Sequence, residues 1–143
     1  MGVSELRVGE FLAALGERTP APASGAATAL TAAFAASLVE LAARFAEDED
    51  AITRAKALSA RLAQLADEDA AAYAAFMETR TKEARRRTIE VPLEIAANAA
   101  EVELLAGRVR KQLSSSVAGD AEAAEELARA ASRVARRLAE LND

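Results

Sequence analysis

Cysteine, histidine and tryptophan are all missing from this chain of 143 residues. The first absence excludes disulfides and thiolate nucleophiles; the second removes imidazole acid/base chemistry, and together they remove the usual zinc sites. Aromatic residues make up only 3% and there are three prolines, so the chain is poor in the residues that build strands and in those that break helices. Any catalysis must come from carboxylates, lysine, hydroxyls, Tyr73 or backbone dipoles. A long unbroken apolar run is missing too: the stretch Ala26 to Ala43 is interrupted by Thr28, Thr31, Ser37 and Glu40. A membrane or targeting segment is therefore not expected, and a cytoplasmic location is. A net charge of -5 argues against nucleic acid binding across the whole surface, because phosphate contacts need a concentrated basic footprint.

What is present points to helices. Hydrophobic residues reach 52%, mostly Ala and Leu, and a chain of this length suits one domain spanning residues 1–143 with one core of thin layers. The spacing predicts an all-α, single-domain bundle of about five helices. Ser4 reads as the N-cap of a first helix carrying Val8, Phe11, Leu12 and Leu15, with Gly16 near its end. A second helix runs from about Gly25 to Ala46, with Leu30, Phe34, Leu38, Leu41 and Phe45 as an apolar stripe at helical period. The acidic run Glu47 to Asp50 leads a long third helix carrying Ile52, Leu58, Leu62, Leu65, Tyr73 and Phe76, ending near Arg85. Pro92 is expected to open the fourth helix, because the residue before a proline avoids the helical region. Its seam is Ile95, Ala99, Val102, Ala106, Val109 and Leu113, and a fifth helix begins at Asp120 with Leu127, Ala131, Val134, Leu138 and Leu141 on one face.

The stretch Thr19 to Leu38 passes from two prolines and a small-residue turn into a helix of Ala, Thr and Leu. Side chains this small are used where another helix or a ligand comes close to the main chain. Pro20, Pro22, Gly25, Ala29, Leu30 and Leu38 fall in line with a motif P-x-P-G-G-G-S, small residues, A-L. Further on stand Asp69-Ala-Ala-Ala-Tyr73, Val91-Pro92-Leu93, Ala100-Glu101-Val102 and an aspartate-led last helix from Asp120 to Asn142. In their order and spacing these resemble the cyclodeaminase/cyclohydrolase family of folate enzymes over nearly the whole chain. The likeness departs at Ala23, Ser24, Gly25 and Ala26, where the family has three glycines and a serine, and at Leu138, where it has an asparagine.

The resemblance implies a helical homodimer acting on formimino- or methenyltetrahydrofolate as substrate, with no separate cofactor and no metal. Such chemistry needs a carboxylate that favours the cationic amidine and takes a proton as water adds, or moves one as ammonia leaves. Carried over residue by residue, Asp120 is the candidate catalytic carboxylate, and it reads equally as a simple N-cap. The turn Ala23, Ser24, Gly25, Ala26 would offer N–H groups to a folate carboxylate, or would simply let the helix pack closely. Asp69 and Tyr73, one turn apart, fit pterin recognition, or a solvated acid beside a core aromatic. Glu101 is a substrate contact or a flank charge, and Arg85 to Arg87 a polyglutamate contact or a charge cluster at a helix end. Three readings follow: a folate enzyme, a catalytically degenerate relative that binds folate or serves as a dimeric interaction protein, and an Ala-rich helical scaffold unrelated to folate.

Overall fold

In the computed structural model, which describes residues 2–143, the order is a short 3-10 turn (Val3–Glu5), α1 (Val8–Leu15), α2 (Ser24–Phe45), α3 (Glu49–Thr79), α4 (Lys82–Arg110) and α5 (Gly119–Asn142). No strand occurs among the described residues, as the composition demands. The four long helices form the bundle, with α2 packed against each of α3, α4 and α5.

Alanine makes that packing possible. The core of α2 is Ala26, Ala29, Ala32, Ala33, Ala35, Ala36, Val39, Ala42 and Ala43, and α5 contributes Ala121, Ala124, Ala128, Ala131 and Ala135. Bulk comes from α3 and α4: Leu58, Leu62, Leu65, Ile95, Val102 and Val109 are fully enclosed. The predicted seam of α4 is therefore buried as expected, apart from the half-buried Leu113. The predicted stripes of α2 and α5 are only partly so: Ala131 is buried, Leu30 and Leu38 are half-buried against the core and Leu138 is half-buried, but the remaining members are exposed. Phe34 is 59% exposed and Phe45 63%, with Leu41 beside them; on α5 Leu127, Val134 and Leu141 lie outside. Helical periodicity finds the face with the largest apolar residues, but helix axes that approach to about 8 Å need the face with the smallest. On α1, which buries no residue, Val8 and Leu12 extend the exposed apolar surface.

The boundaries differ from expectation at four places. Ser4 lies in the 3-10 turn, where its N–H and hydroxyl both donate to Asp67 of α3; Arg7 is the N-cap of α1. α3 ends at Thr79, with Arg80 in the left-handed conformation (φ 55°), and Thr81 caps α4 by accepting from the Ala84 N–H at 3.1 Å. Pro92 consequently sits inside α4 and opens nothing. Arg85 to Arg87 fall near the start of α4, where the helix dipole disfavours them, and Arg86 and Arg87 are held by ion pairs to Glu83, Glu90 and Glu68. Ala118, with no side-chain cap bond, occupies the N-cap of α5, so Asp120 is a first-turn residue and not the cap.

α2 is long and apolar enough to cross a membrane, with a mean hydropathy of 1.6 in its most apolar window. More than half of that window, 56%, is buried in the bundle, the use a core helix makes of the same composition.

Candidate functional site

At the end of the bundle where α2 begins, the chain leaves a cavity of about 340 Å³. The Thr19–Ala23 turn roofs it, Ser24 and Gly25 come from the start of α2, and Asp69 and Tyr73 from α3. Thr88 and Pro92 of α4 and Leu138, Leu141 and Asn142 of α5 complete the wall. Pro22 follows a cis peptide bond, which belongs to the turn.

Gly25 explains why the stretch is built of small residues. A Cβ at that position would overlap the Asp69 carboxylate, so the group that approaches the α2 backbone is a side chain of α3. Asp69 is the one charged residue among those lining the cavity. Burial pushes its carboxyl up to about 6 from the ordinary 3.8, since taking the ionised form out of water is unfavourable when no cation answers it. Tyr73, one turn further along α3, is 36% exposed and presents the only phenol of the chain to the same space. The first N–H groups of α2 add positive polarity beside the carboxylate; the N-cap Ala23 gives them no side-chain partner.

Five of the residues singled out in the sequence thus meet here: Ala23, Ser24, Gly25, Asp69 and Tyr73. Ala26 is adjacent but wholly buried in the core. Glu101 and Asp120 are not part of the group. Glu101 lies about 13 Å further along α4 than Pro92 and is tied to the Arg54 guanidinium through both carboxylate oxygens, which holds its pKa below the usual range. Asp120 is exposed at the opposite end of α5, roughly 30 Å along the helix from Asn142. Arg85 donates to the Asn142 carbonyl at 3.3 Å, just outside the cavity wall.

On the α4 and α5 side, Pro92 and Leu138 were marked by the resemblance without being named as site residues, and Thr88, Leu141 and Asn142 were not expected in the site at all. Thr88, Pro92, Leu138, Leu141 and Asn142 carry no acid/base chemistry, and reading Pro92 as a helix start concealed that Thr88 lies one turn before it. The periodicity held the clue: Thr88, Val91, Ile95 and Ala99 are all buried at helical spacing through the proline.

What can this arrangement do? A partly buried carboxylate with a raised pKa, beside a phenol and without a competing cation, can attract a cationic ligand and exchange a proton with it near neutral pH. Comparison with known proteins bears on which ligands are relevant. The fold matches the crystal structure of formiminotetrahydrofolate cyclodeaminase from Thermotoga maritima with a TM-score of 0.91, covering 98% of this chain and 79% of that one at 21% identity. No curated protein matches significantly. The model of the formiminotransferase-cyclodeaminase family matches residues 7–142, nearly the full length and including every residue of the cavity wall, and the chain belongs to that family.

Proposed function

We propose that the protein is a folate one-carbon enzyme of the cyclodeaminase/cyclohydrolase type, and that Asp69 is the carboxylate that handles the proton. One observation carries this reading: within the cavity of a family member, the sole charged side chain is an acid raised by burial to about 6, opposite in sign to a cationic amidine. In the hydrolytic direction, water adds to the amidinium carbon of the methenyl form and Asp69 accepts the proton that water loses; one C–N bond of the adduct then breaks, Asp69 returns the proton to the departing nitrogen, and the hydroxyl gives up its own proton to solvent to become the formyl group. In the deaminating direction, N10 attacks the carbon of the formimino cation and the ring closes; Asp69 takes the proton that N10 gives up and returns it to the amino group, and the C–N bond to that group breaks as ammonia leaves and the methenyl cation forms. Tyr73 and the first turn of α2 would hold the pterin. A volume of about 340 Å³ lies at the small end of ligand sites, suited to the bicyclic end of folate with the glutamate outside.

Asp120, to which the resemblance assigned the chemistry, is too distant from this cavity to act within one subunit. The decisive experiment follows the near-ultraviolet absorbance of methenyltetrahydrofolate, and ammonia release from the formimino form. Asp69→Asn is expected to lose about 10²- to 10⁴-fold in kcat, the range of a general acid/base, with Asp120→Asn near the parent rate. The reverse pattern would return the role to Asp120.

A second reading has its own support. Leu138 lines the cavity where the family resemblance places an amide, so the site has one polar group fewer with which to orient a substrate. A protein that binds folate without turnover would show a ligand-induced rise in melting temperature and no change in absorbance. In either case we propose a homodimer, formed through the exposed stripe of Phe34, Leu41 and Phe45 and the groove of about 260 Å³ that Phe34 shares with α1. Light scattering of Phe34→Glu should then report a monomer.

A further inference from the structure

Pro92 lies eleven residues into α4 and is buried. Its ring nitrogen carries no hydrogen, so the Thr88 carbonyl four residues earlier has no helical donor, and Thr88 is itself only 4% exposed. A buried carbonyl left unpaired is costly. The missing donor comes from another helix: the side-chain amide of Asn142 donates to the Thr88 carbonyl at 2.8 Å. Arg85, one turn before Thr88, donates in turn to the Asn142 carbonyl at 3.3 Å. The two bonds run in opposite senses and tie the last turn of α5 to the early turns of α4. Ten residues back along α5, the Ser132 hydroxyl donates to the Ala96 carbonyl at 3.2 Å, so the antiparallel pair is pinned at a second point.

The tied turn is also the cavity wall. Leu138, Leu141 and Asn142 face the space from α5, Thr88 and Pro92 from α4, and Asp69 and Tyr73 from α3. In the final helical turn Ala139 is buried but Leu141 is 60% exposed, so without the tie one small side chain supplies most of the apolar burial that keeps the turn in place.

We propose that Asn142 is a positioning residue for the cavity: by supplying the hydrogen-bond donor that Pro92 lacks, it holds the last turn of α5 as the wall opposite Asp69 and Tyr73. The proline and the asparagine work as a pair. A helix with alanine at 92 would satisfy Thr88 from its own backbone and would no longer depend on the Asn142 amide at that carbonyl. The inference rests on the reading of this cavity as the substrate site only for its effect on turnover; the tie itself is independent of any ligand.

The test is a double-substitution cycle on the full chain with Pro92→Ala and Asn142→Ala, read by amide hydrogen exchange over residues 138–142 and by acrylamide quenching of Tyr73, the single tyrosine in a chain without tryptophan. In the parent background Asn142→Ala should raise exchange of these amides about five- to tenfold, the worth of one hydrogen bond, and make Tyr73 more readily quenched. In the Pro92→Ala background the same substitution should change both by less than about twofold, because Thr88 no longer depends on Asn142. Asn142→Asp keeps the shape but sets a carboxylate oxygen against the Thr88 carbonyl, so it should loosen the turn at least as much as Asn142→Ala, which leaves the proposal testable even if Pro92→Ala does not fold. Equal effects of Asn142→Ala in both backgrounds, or an Asn142→Asp protein indistinguishable from the parent, would overturn it. With methenyltetrahydrofolate, a loosened wall should raise KM several-fold while kcat falls by less; equal losses in an otherwise unmoved α5 would also count against it. Absence of turnover in the parent protein would strike the enzymatic reading and leave the exchange and quenching results to decide this one.

Discussion

The two ends of the bundle use carboxylates in opposite ways. At the end where α3 begins, Asp48 caps the helix through the Ala51 N–H and accepts from Gln112, Glu101 is clasped by Arg54, and Glu125 meets Arg110 and Arg129; all three are held below the usual carboxylate range. At the cavity end, Asp69 has been brought into partial burial without a cation and is pushed up to about 6. The same side-chain chemistry gives a satisfied strut in one region and a poised acid in the other. Exposed ion pairs of the first kind each contribute about 0–1 kcal/mol. The second kind costs stability, and such a cost is what functional sites tend to carry.

Substitution at the two ends should separate these uses most sharply in turnover. Asp69→Asn is expected to remove nearly all activity, whereas Glu101→Gln should leave kcat within about threefold of the parent, since it breaks a pair that touches no substrate. Comparable losses from both would dissolve the distinction between the ends.

Glycine substitution gives the next largest contrast. Gly25→Ala places a Cβ in the Asp69 carboxylate and should destabilise by about 1–3 kcal/mol, besides lowering activity, as overpacking does. Gly107, inside α4 at the opposite end, would meet only ordinary contact with Glu125, so Gly107→Ala should stabilise by roughly 0.5–1 kcal/mol. Chemical denaturation of the two variants reads both signs.

A pH series refines the comparison further. Because the folded-state value of Asp69 is raised, its contribution to stability is fully present below about 3.8 and is lost as pH rises through about 6. Asp69→Asn should therefore raise the melting temperature by a few °C at pH 8 and not at pH 4. Asp48 runs the other way: its value is lowered, so its contribution is present above the ordinary 3.8 and lost on acidification. Asp48→Ala should cost about 0.5–2 kcal/mol at pH 7, the worth of an N-cap, and less at pH 3. An Asp69→Asn protein with unchanged melting at pH 8 would mean that the carboxylate is better solvated than its surroundings indicate.

The smallest effect is expected at Arg80, whose φ of 55° favours glycine at the turn between α3 and α4. Arg80→Gly should gain on the order of 0.5 kcal/mol and leave activity unchanged, confirming that this turn is structural and separate from the site.

Much of this was legible in the residues. On α4 spacing and burial coincide: Ile95, Val102 and Val109 recur at helical period with Ala99 and Ala106 and all are buried, while Leu93 and Leu104, off that seam, are exposed. On α2 and α5 the two properties part company, and the alanine face won because α2 must touch three helices at once. In the site, Gly25, Asp69 and Tyr73 stood out as chemistry-bearing or permissive types. Asn142 did not, since an asparagine near a helix end reads as a cap until the carbonyl it serves is known.

An all-helical, alanine-packed, histidine-free and cysteine-free domain followed from composition and periodicity alone, because helix propensity and apolar spacing are local properties. So did the restriction of any acid/base work to carboxylates and a phenol. Which carboxylate is buried without a cation, which helix face meets its neighbours and how a proline is tolerated within α4 were decided only by folding. Burial, helix approach and the satisfaction of a free carbonyl depend on residues that are distant in the chain, and no local pattern encodes those pairings.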